Sequence, residues 1–442
     1  MQSVCNRRGM GRNESSPEDS VTITVDGSDR TGDDLYDPDG YLDGPPHDTF
    51  TRLRHDDPVF WQDMPDGTGY WAVLRHADVV DVARHPLRFS AATGGVMLED
   101  LDPDQLAMMR EMLLAMDPPR HANYRRSLSP HFTARVMASL EPRIRTVCRS
   151  IMVRAAEESA DGGELDFVHD VCAPLPAQVI GELVGIPNED RPLLHHWAER
   201  ITGFQDDEVS DASAEWGDDE GTGEDDALAG SIQMAMYFIE LAAQRRAEPQ
   251  EDLLTLTLAS EFDGKPMDDM GVGSFFVQLV TAGNDTSRTM LSSGLLALLR
   301  HPDQLAELRA DPALVPGAVE EILRWANPLH YFRRTATEDT DIAGHPIAAG
   351  DKLAMIYTSA NRDELVFADS QRFDIHRSPN PHLSFGVGEH FCLGVHLARL
   401  EARVFFEELL ATFATIELTG SPRRQRSNLN NALKALPVRL GV

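Results

Sequence analysis

The chain has 442 residues, with 72 acidic against 40 basic side chains and a formal net charge of −32. That surplus argues against a nucleic-acid binder and against electrostatic adhesion to an anionic membrane. No apolar run reaches the ~18–20 residues that span a bilayer, no apolar segment of secretory type follows the N-terminus, and four cysteines without paired spacing point to a reducing, cytoplasmic setting and not to a disulfide framework.

Residues 1–40 are rich in Ser, Asp, Gly and Arg, which predicts a disordered tail. From Tyr41 the composition becomes that of an ordered chain. Residues 58–61 and 69–74 predict two short strands joined by a turn at Asp66-Gly67, and residues 77–84 a short helix. An irregular segment follows over 91–105, around Gly94 and Gly95. Helices then dominate, with apolar residues at three-to-four spacing over 141–160 and 176–183, the second opening on a proline where a helix start tolerates one. Residues 205–228 form a very acidic insert, expected to be a solvated or disordered loop. There are no internal repeats.

Residues 270–300 are apolar with few charges and predict a long buried helix. Within it lies Ala282-Gly283-Asn284-Asp285-Thr286-Ser287. A glycine in a helix interior costs roughly 1 kcal/mol relative to alanine, and Asp and Thr suit an apolar core poorly, so these residues imply use. Gly283 would let a flat ligand approach the backbone. Thr286 could turn its hydroxyl away from the i−4 carbonyl and open the helix locally, while Asp285 could carry protons inward. Further on, Glu321 and Arg324 share a helix face at i, i+3 spacing.

The most distinctive stretch is Phe385-Gly386-Val387-Gly388-Glu389-His390-Phe391-Cys392-Leu393-Gly394. Gly386 and Gly388 permit a tight backbone path. A helical run follows at once, so Cys392 sits ahead of a helix N-terminus, where unpaired N–H groups favour a thiolate able to ligate a metal. Gly394 would keep bulk away from the sulfur, and Phe385 could lie against a planar group.

These pieces, in this order over roughly residues 41–442, resemble the cytochrome P-450 monooxygenases. Phe385, Gly388, His390, Cys392 and Gly394 fill every position of that family's haem-binding signature, and Ala282, Gly283, Asp285 and Thr286 match its oxygen-side helix. The resemblance implies a mainly α fold with small β-sheets, in one large domain shaped like a triangular prism and holding haem b, iron protoporphyrin IX. It implies that Cys392 is the metal ligand, that Phe385, Gly394, Ala282 and Gly283 border the haem, and that Asp285 and Thr286 form the catalytic proton-delivery pair. It places His121, Arg125, Arg334 and His390 on the haem propionates; Arg333 competes with Arg334, which the family's Arg-x-Ala pattern favours. Glu321 and Arg324 would form a buried structural pair joined by a further arginine, matched here by Arg372.

The implied activity is insertion of one oxygen atom from O2 into a small apolar substrate, with electrons passing from NAD(P)H through a separate ferredoxin reductase and ferredoxin. Arg125, Arg126, Arg399 and Arg403 are candidate docking cations for the ferredoxin. The Ala-Gly-Asn-acid-Thr motif and the stretch from Met116 to His121 are similar to members that hydroxylate sterols, terpenoids or branched lipids. Val96, Met97, Pro328, Leu329 and His330 are candidate pocket residues, and Gln278 stands one turn before Ala282 without an assigned role. The alternatives are a tailoring oxidase of secondary metabolism (hydroxylation, ring formation or coupling) and a non-enzymatic haem-thiolate sensor. A monomer without membrane contact is expected.

Overall fold

The longest helix follows directly from its sequence. Asp268 caps its first turn by accepting from the Gly271 amide, and the 31 residues that follow are apolar around most of the circumference, so the helix is buried instead of lying on a surface. The computed structural model describes residues 33–206, 208, 224–262 and 264–442. Eight helices matter for the site: α1 (Arg120–Leu128), α2 (Glu141–Glu158), α3 (Pro174–Val184), α4 (Arg191–Thr202), α5 (Glu224–Ala247), α6 (Asp269–Leu299), α7 (Val315–Ala326) and α8 (Val395–Thr412). Helix α6 is about 46 Å long at 1.5 Å per residue. It packs against α3, α4, α5, α7 and α8, and α8 packs in turn against α2.

Glycine sets one of these crossings. A Cβ on Gly294 of α6 would stand 2.8 Å from Ile322 of α7 and 3.0 Å from Phe406 of α8. Only a residue without a side chain lets the three helices close there. Helix α3 begins at Pro174, two residues ahead of the expected proline, and ends on Gly185 in the left-handed region at φ +91°, the conformation that favours glycine after a helix.

A five-stranded sheet flanks the helices: β1 (Val59–Asp63), β2 (Gly69–Val73), β3 (Phe89–Ser90), β4 (Tyr331–Ala336) and β5 (Lys352–Ile356), in the order β1-β2-β5-β4-β3. β1 and β2 form the expected hairpin, with Trp61 opposite Trp71. β5 runs parallel to β2 and antiparallel to β4. Residues 165–166, 415–418 and 437–441 form a small second sheet.

Asp34 to Val442 form one unit, so order begins earlier than the composition suggests. Leu35 is only 2% exposed, and its carbonyl accepts from the buried Tyr41 hydroxyl at 3.0 Å. The expected tail over 1–32 lies outside the described residues, as do 207 and 209–223 of the acidic insert. The flanks of that insert are anchored, not solvated. Asp206 is buried and bonds Lys434, and Asp226 is buried in an ion pair with Arg200 at 2.6 Å. A carboxylate can leave water when a cation meets it, and composition does not reveal the cation. Among the described residues no helix is long and apolar enough to cross a membrane.

Candidate active site

A cavity of about 250 Å³ lies among α6, α1, β4 and the loop ahead of α8. The loop is shaped by its glycines: Gly386 and Gly388 have φ of +67° and +78°, and a Cβ on Gly388 would stand 2.7 Å from the Ala83 carbonyl oxygen. The Cys392 amide donates to the Phe385 carbonyl at 2.9 Å, closing the loop, and the half-buried Cys392 lines the cavity. Burial pushes its thiol up, against the Gly394 amide and the charges of Arg125 and Arg399. A Cβ on Gly394 would lie 4.0 Å from Cys392 Sγ. Phe385 lines the cavity, with the Arg399 guanidinium 4.8 Å from its ring centre. Arg399 and His382 bond Glu320; burial alone would raise that carboxyl, yet these bonds hold it down at about 2.

Four basic groups from three distant segments meet on the same cavity. His121 and Arg125 lie one turn apart on α1, Arg334 comes from β4 and His390 from the cysteine loop. The strand decides between the two arginines, because successive side chains of a strand point to opposite faces. Arg334 faces the cavity. Arg333 turns away and grips the carbonyls of Met97, Leu98 and Glu99 and the carboxylate of Asp100. The rings of His121 and His390 have centres 4.2 Å apart, and each Nε2 is buried without a hydrogen-bonding partner. Burial, then neighbouring positive charge, lowers His121 to about 4 and His390 to about 2. Among the described residues no carboxylate pairs with Arg125 or Arg334, and Glu389 approaches His121 no closer than 3.9 Å. Two guanidiniums without a carboxylate partner, beside two imidazoles whose Nε2 atoms are unpartnered, fit a ligand that brings its own carboxylates. The two propionates of a haem meet that description.

Opposite the cysteine, Ala282, Gly283 and Thr286 of α6 line the cavity. The helix is continuous here, and the Thr286 hydroxyl donates to the Ala282 carbonyl at 2.5 Å. The expected local opening is absent in this state. A Cβ on Gly283 would meet Ile180 of α3 at 3.3 Å, so close helix packing contributes to the choice of glycine. Asp285, 8% exposed, points instead toward α4 and pairs with Arg288 at 3.0 Å; Arg288 also contacts Glu199. Burial raises the Asp285 carboxyl, opposed first by Arg288 and then by a bond from Thr202. Asn284 meets His195 at 2.9 Å. Arg288, Glu199 and His195 were not legible beforehand, since ordinary helix positions become partners only when α4 crosses α6.

Glu321 and Arg324 are fully buried and joined by two bonds of 2.7 and 2.8 Å. The third partner is Arg377, not Arg372. Arg377 Nε lies 3.1 Å from Glu321, whereas Arg372 is exposed and contributes only its backbone carbonyl, which accepts from Arg324. The two arginines are five residues apart in an irregular segment, where spacing does not say which one turns inward. Of the candidate pocket residues, Val96, Pro328 and Leu329 line the cavity, but Met97 packs in a separate apolar cluster and His330 is buried against Tyr41 and Thr358. Glu401, also unforeseen, lines the cavity and accepts from Ser287 at 2.9 Å.

The comparisons with known proteins agree with this geometry. Residues 224–440 match the family model described as Cytochrome P450. The chain is 38% identical over 397 residues to a methyl-branched lipid omega-hydroxylase of Mycobacterium tuberculosis, covering 88% of this chain and 90% of that protein. The chain belongs to the cytochrome P450 family. A steroid C26-monooxygenase of Mycolicibacterium smegmatis is 35% identical over 399 residues, covering 88% of this chain and 89% of the relative. The crystal structure of Mycobacterium marinum cytochrome P450 CYP268A2, in complex with pseudoionone, superposes with a TM-score of 0.84 at 36% identity, covering 93% of this chain and 99% of that one. This P450 is thus a monooxygenase of the haem-thiolate class, whose cofactor is iron protoporphyrin IX, built on the mainly helical P450 fold.

Proposed function

We propose that this P450 hydroxylates a small, elongated apolar molecule of sterol, terpenoid or branched-lipid type, using O2 and electrons from NAD(P)H carried by a separate reductase and ferredoxin. One observation carries the reading: a cysteine sulfur, a basic cluster whose arginines have no carboxylate partner among the described residues, and Ala282, Gly283 and Thr286 of α6 all open on one cavity. Bound haem supplies the iron that activates O2, and thiolate ligation favours O–O cleavage. Cys392 would hold the iron through its sulfur. Phe385, Gly394, Ala282 and Gly283 would border the macrocycle, and His121, Arg125, Arg334 and His390 would hold its carboxylates.

The proton work falls to α6. Thr286 would hand a proton inward from Oγ1 when that hydroxyl leaves the Ala282 carbonyl. Asp285 would resupply it by swinging away from Arg288; a carboxyl raised by burial accepts a proton more readily than an exposed one. Val96, Leu114, Phe275, Leu279 and Phe332 give the cavity the apolar lining that such a substrate requires. The relatives named for steroid and methyl-branched lipid oxidation support the substrate class. For the ferredoxin, Arg126 is the exposed cation on α1. Arg399 and Arg403 are already engaged, by Glu320 and by Glu141 and Glu407, and Arg125 faces the cavity.

The test is reconstitution. The reduced protein under carbon monoxide should show the red-shifted Soret band of thiolate ligation, and with ferredoxin, reductase and isotopically labelled O2 it should add one labelled oxygen atom to a sterol or terpenoid. Failure to retain haem, or a product free of label, would sink the proposal.

A further inference from the structure

The cavity wall carries one polar group that the oxygen chemistry leaves unused. Gln278 lies on α6, one turn before Ala282, and lines the same cavity. Its Oε1 is buried and has no hydrogen-bonding partner. The other polar groups of the lining belong to the cationic cluster, to the cysteine loop and the Tyr357 beside Arg334, or to the Thr286–Ser287–Glu401 group. The α6 residues that share this part of the wall, Phe275 and Leu279, are apolar. A buried amide oxygen without a donor is unstable relative to one that is paired, and a cavity with few polar groups uses each of them to orient its ligand. Thr286 lies eight positions beyond Gln278. At 1.5 Å per residue the two stand about 12 Å apart along the helix.

We propose that Gln278 is a specificity-determining residue that binds a hydroxyl group at the end of the substrate remote from the carbon oxidised. The substrate is then a neutral, elongated, apolar alcohol, and neither a pure hydrocarbon nor a free acid. A hydroxyl donates to Oε1 and can also accept from the amide N–H. A carboxylate has no proton to offer Oε1 and is better met by a cation, and the cations of this lining are Arg125 and Arg334, both in the cluster around His121. The inference rests on the monooxygenase reading and narrows its substrate class.

The test compares three molecules with one carbon skeleton: farnesol, farnesene and farnesoic acid, titrated into the ferric haem protein while the Soret band is followed. Farnesol should bind about tenfold more tightly than either of the others. Gln278→Met should weaken farnesol by about the same factor and leave farnesene unchanged, and Gln278→Leu should do likewise. Each variant must keep the thiolate-type band with carbon monoxide, which separates failure of this inference from failure of the haem-thiolate reading. Equal binding of the three ligands, tighter binding of the acid, no spectral response to any of them, or a preference for alcohol that survives in both variants would overturn it.

Discussion

Arg377 Nε lies 3.1 Å from Glu321 Oε2, and the same guanidinium donates to the backbone carbonyls of Ala368, Asp369 and Arg372. Glu321 is therefore shared between two arginines, and the segment leading to the cysteine loop is tied to α7 through side chain and backbone together. Removing Arg377 leaves Glu321 paired with Arg324 but strips a set of charge-assisted bonds, at a cost of about 1.5–3 kcal/mol. Arg377→Ala should lower the unfolding free energy from denaturant titration by that amount and loosen haem retention, while Arg372→Ala, which leaves its carbonyl in place, should stay within about 0.5 kcal/mol of the parent. Equal effects of the two would show that the third arginine has been misplaced.

The two adjacent arginines of β4 provide a second contrast. Arg334 faces the cationic cluster and Arg333 holds the loop over residues 97–100. Arg334→Met should weaken haem retention by tenfold or more, measured as transfer of haem to apomyoglobin, because a propionate loses a charge-assisted bond. Arg333→Met should leave haem transfer unchanged and increase hydrogen exchange over the loop, where the Met97, Leu98 and Glu99 carbonyls each lose a donor and Leu98 keeps that of Lys352.

For the proton route, Thr286→Ala should cut product formation by at least about tenfold while NAD(P)H consumption changes little, the missing electrons appearing as hydrogen peroxide. Thr286→Ser keeps the hydroxyl and should recover most of the coupling. A Thr286→Ala protein that remained fully coupled would place the proton donor elsewhere, with the Ser287–Glu401 pair as the nearest alternative.

Glu401 links the site to stability. Burial pushes its carboxyl up to about 8, the bond from Ser287 only partly opposing the rise. In the unfolded chain the group titrates near 4.3. Between those values the folded protein holds a proton that the unfolded chain has released. Stability therefore falls as pH rises through that window, and the contribution is flat below about 4 and above about 8. Wild type should lose on the order of 3 kcal/mol more than Glu401→Gln between pH 5 and pH 8, read from chemical denaturation. Parallel profiles would show that Glu401 is ionised in the fold.

Local chemistry was legible along the chain wherever a short run of residues acts as a unit. The cysteine loop needs its glycines to turn, α6 needs its apolar length to be buried, and Glu321 meets Arg324 because i and i+3 share a face. These motifs, with the Arg-x-Ala pattern that favours Arg334 over Arg333, determined the family, the cofactor and most candidate residues. Tertiary structure decided what depends on segments far apart in sequence. It selected Arg377 over Arg372, set His121 against His390, turned Asp285 toward Arg288 and α4, and buried Asp206 and Asp226 against cations that composition could not reveal. It also raised the Cys392 thiol, where position before a helix alone would have lowered it. Burial and long-range pairing come from how elements cross, and one chain read in order specifies residue types and periods but not which side chain will leave water or whom it will meet there.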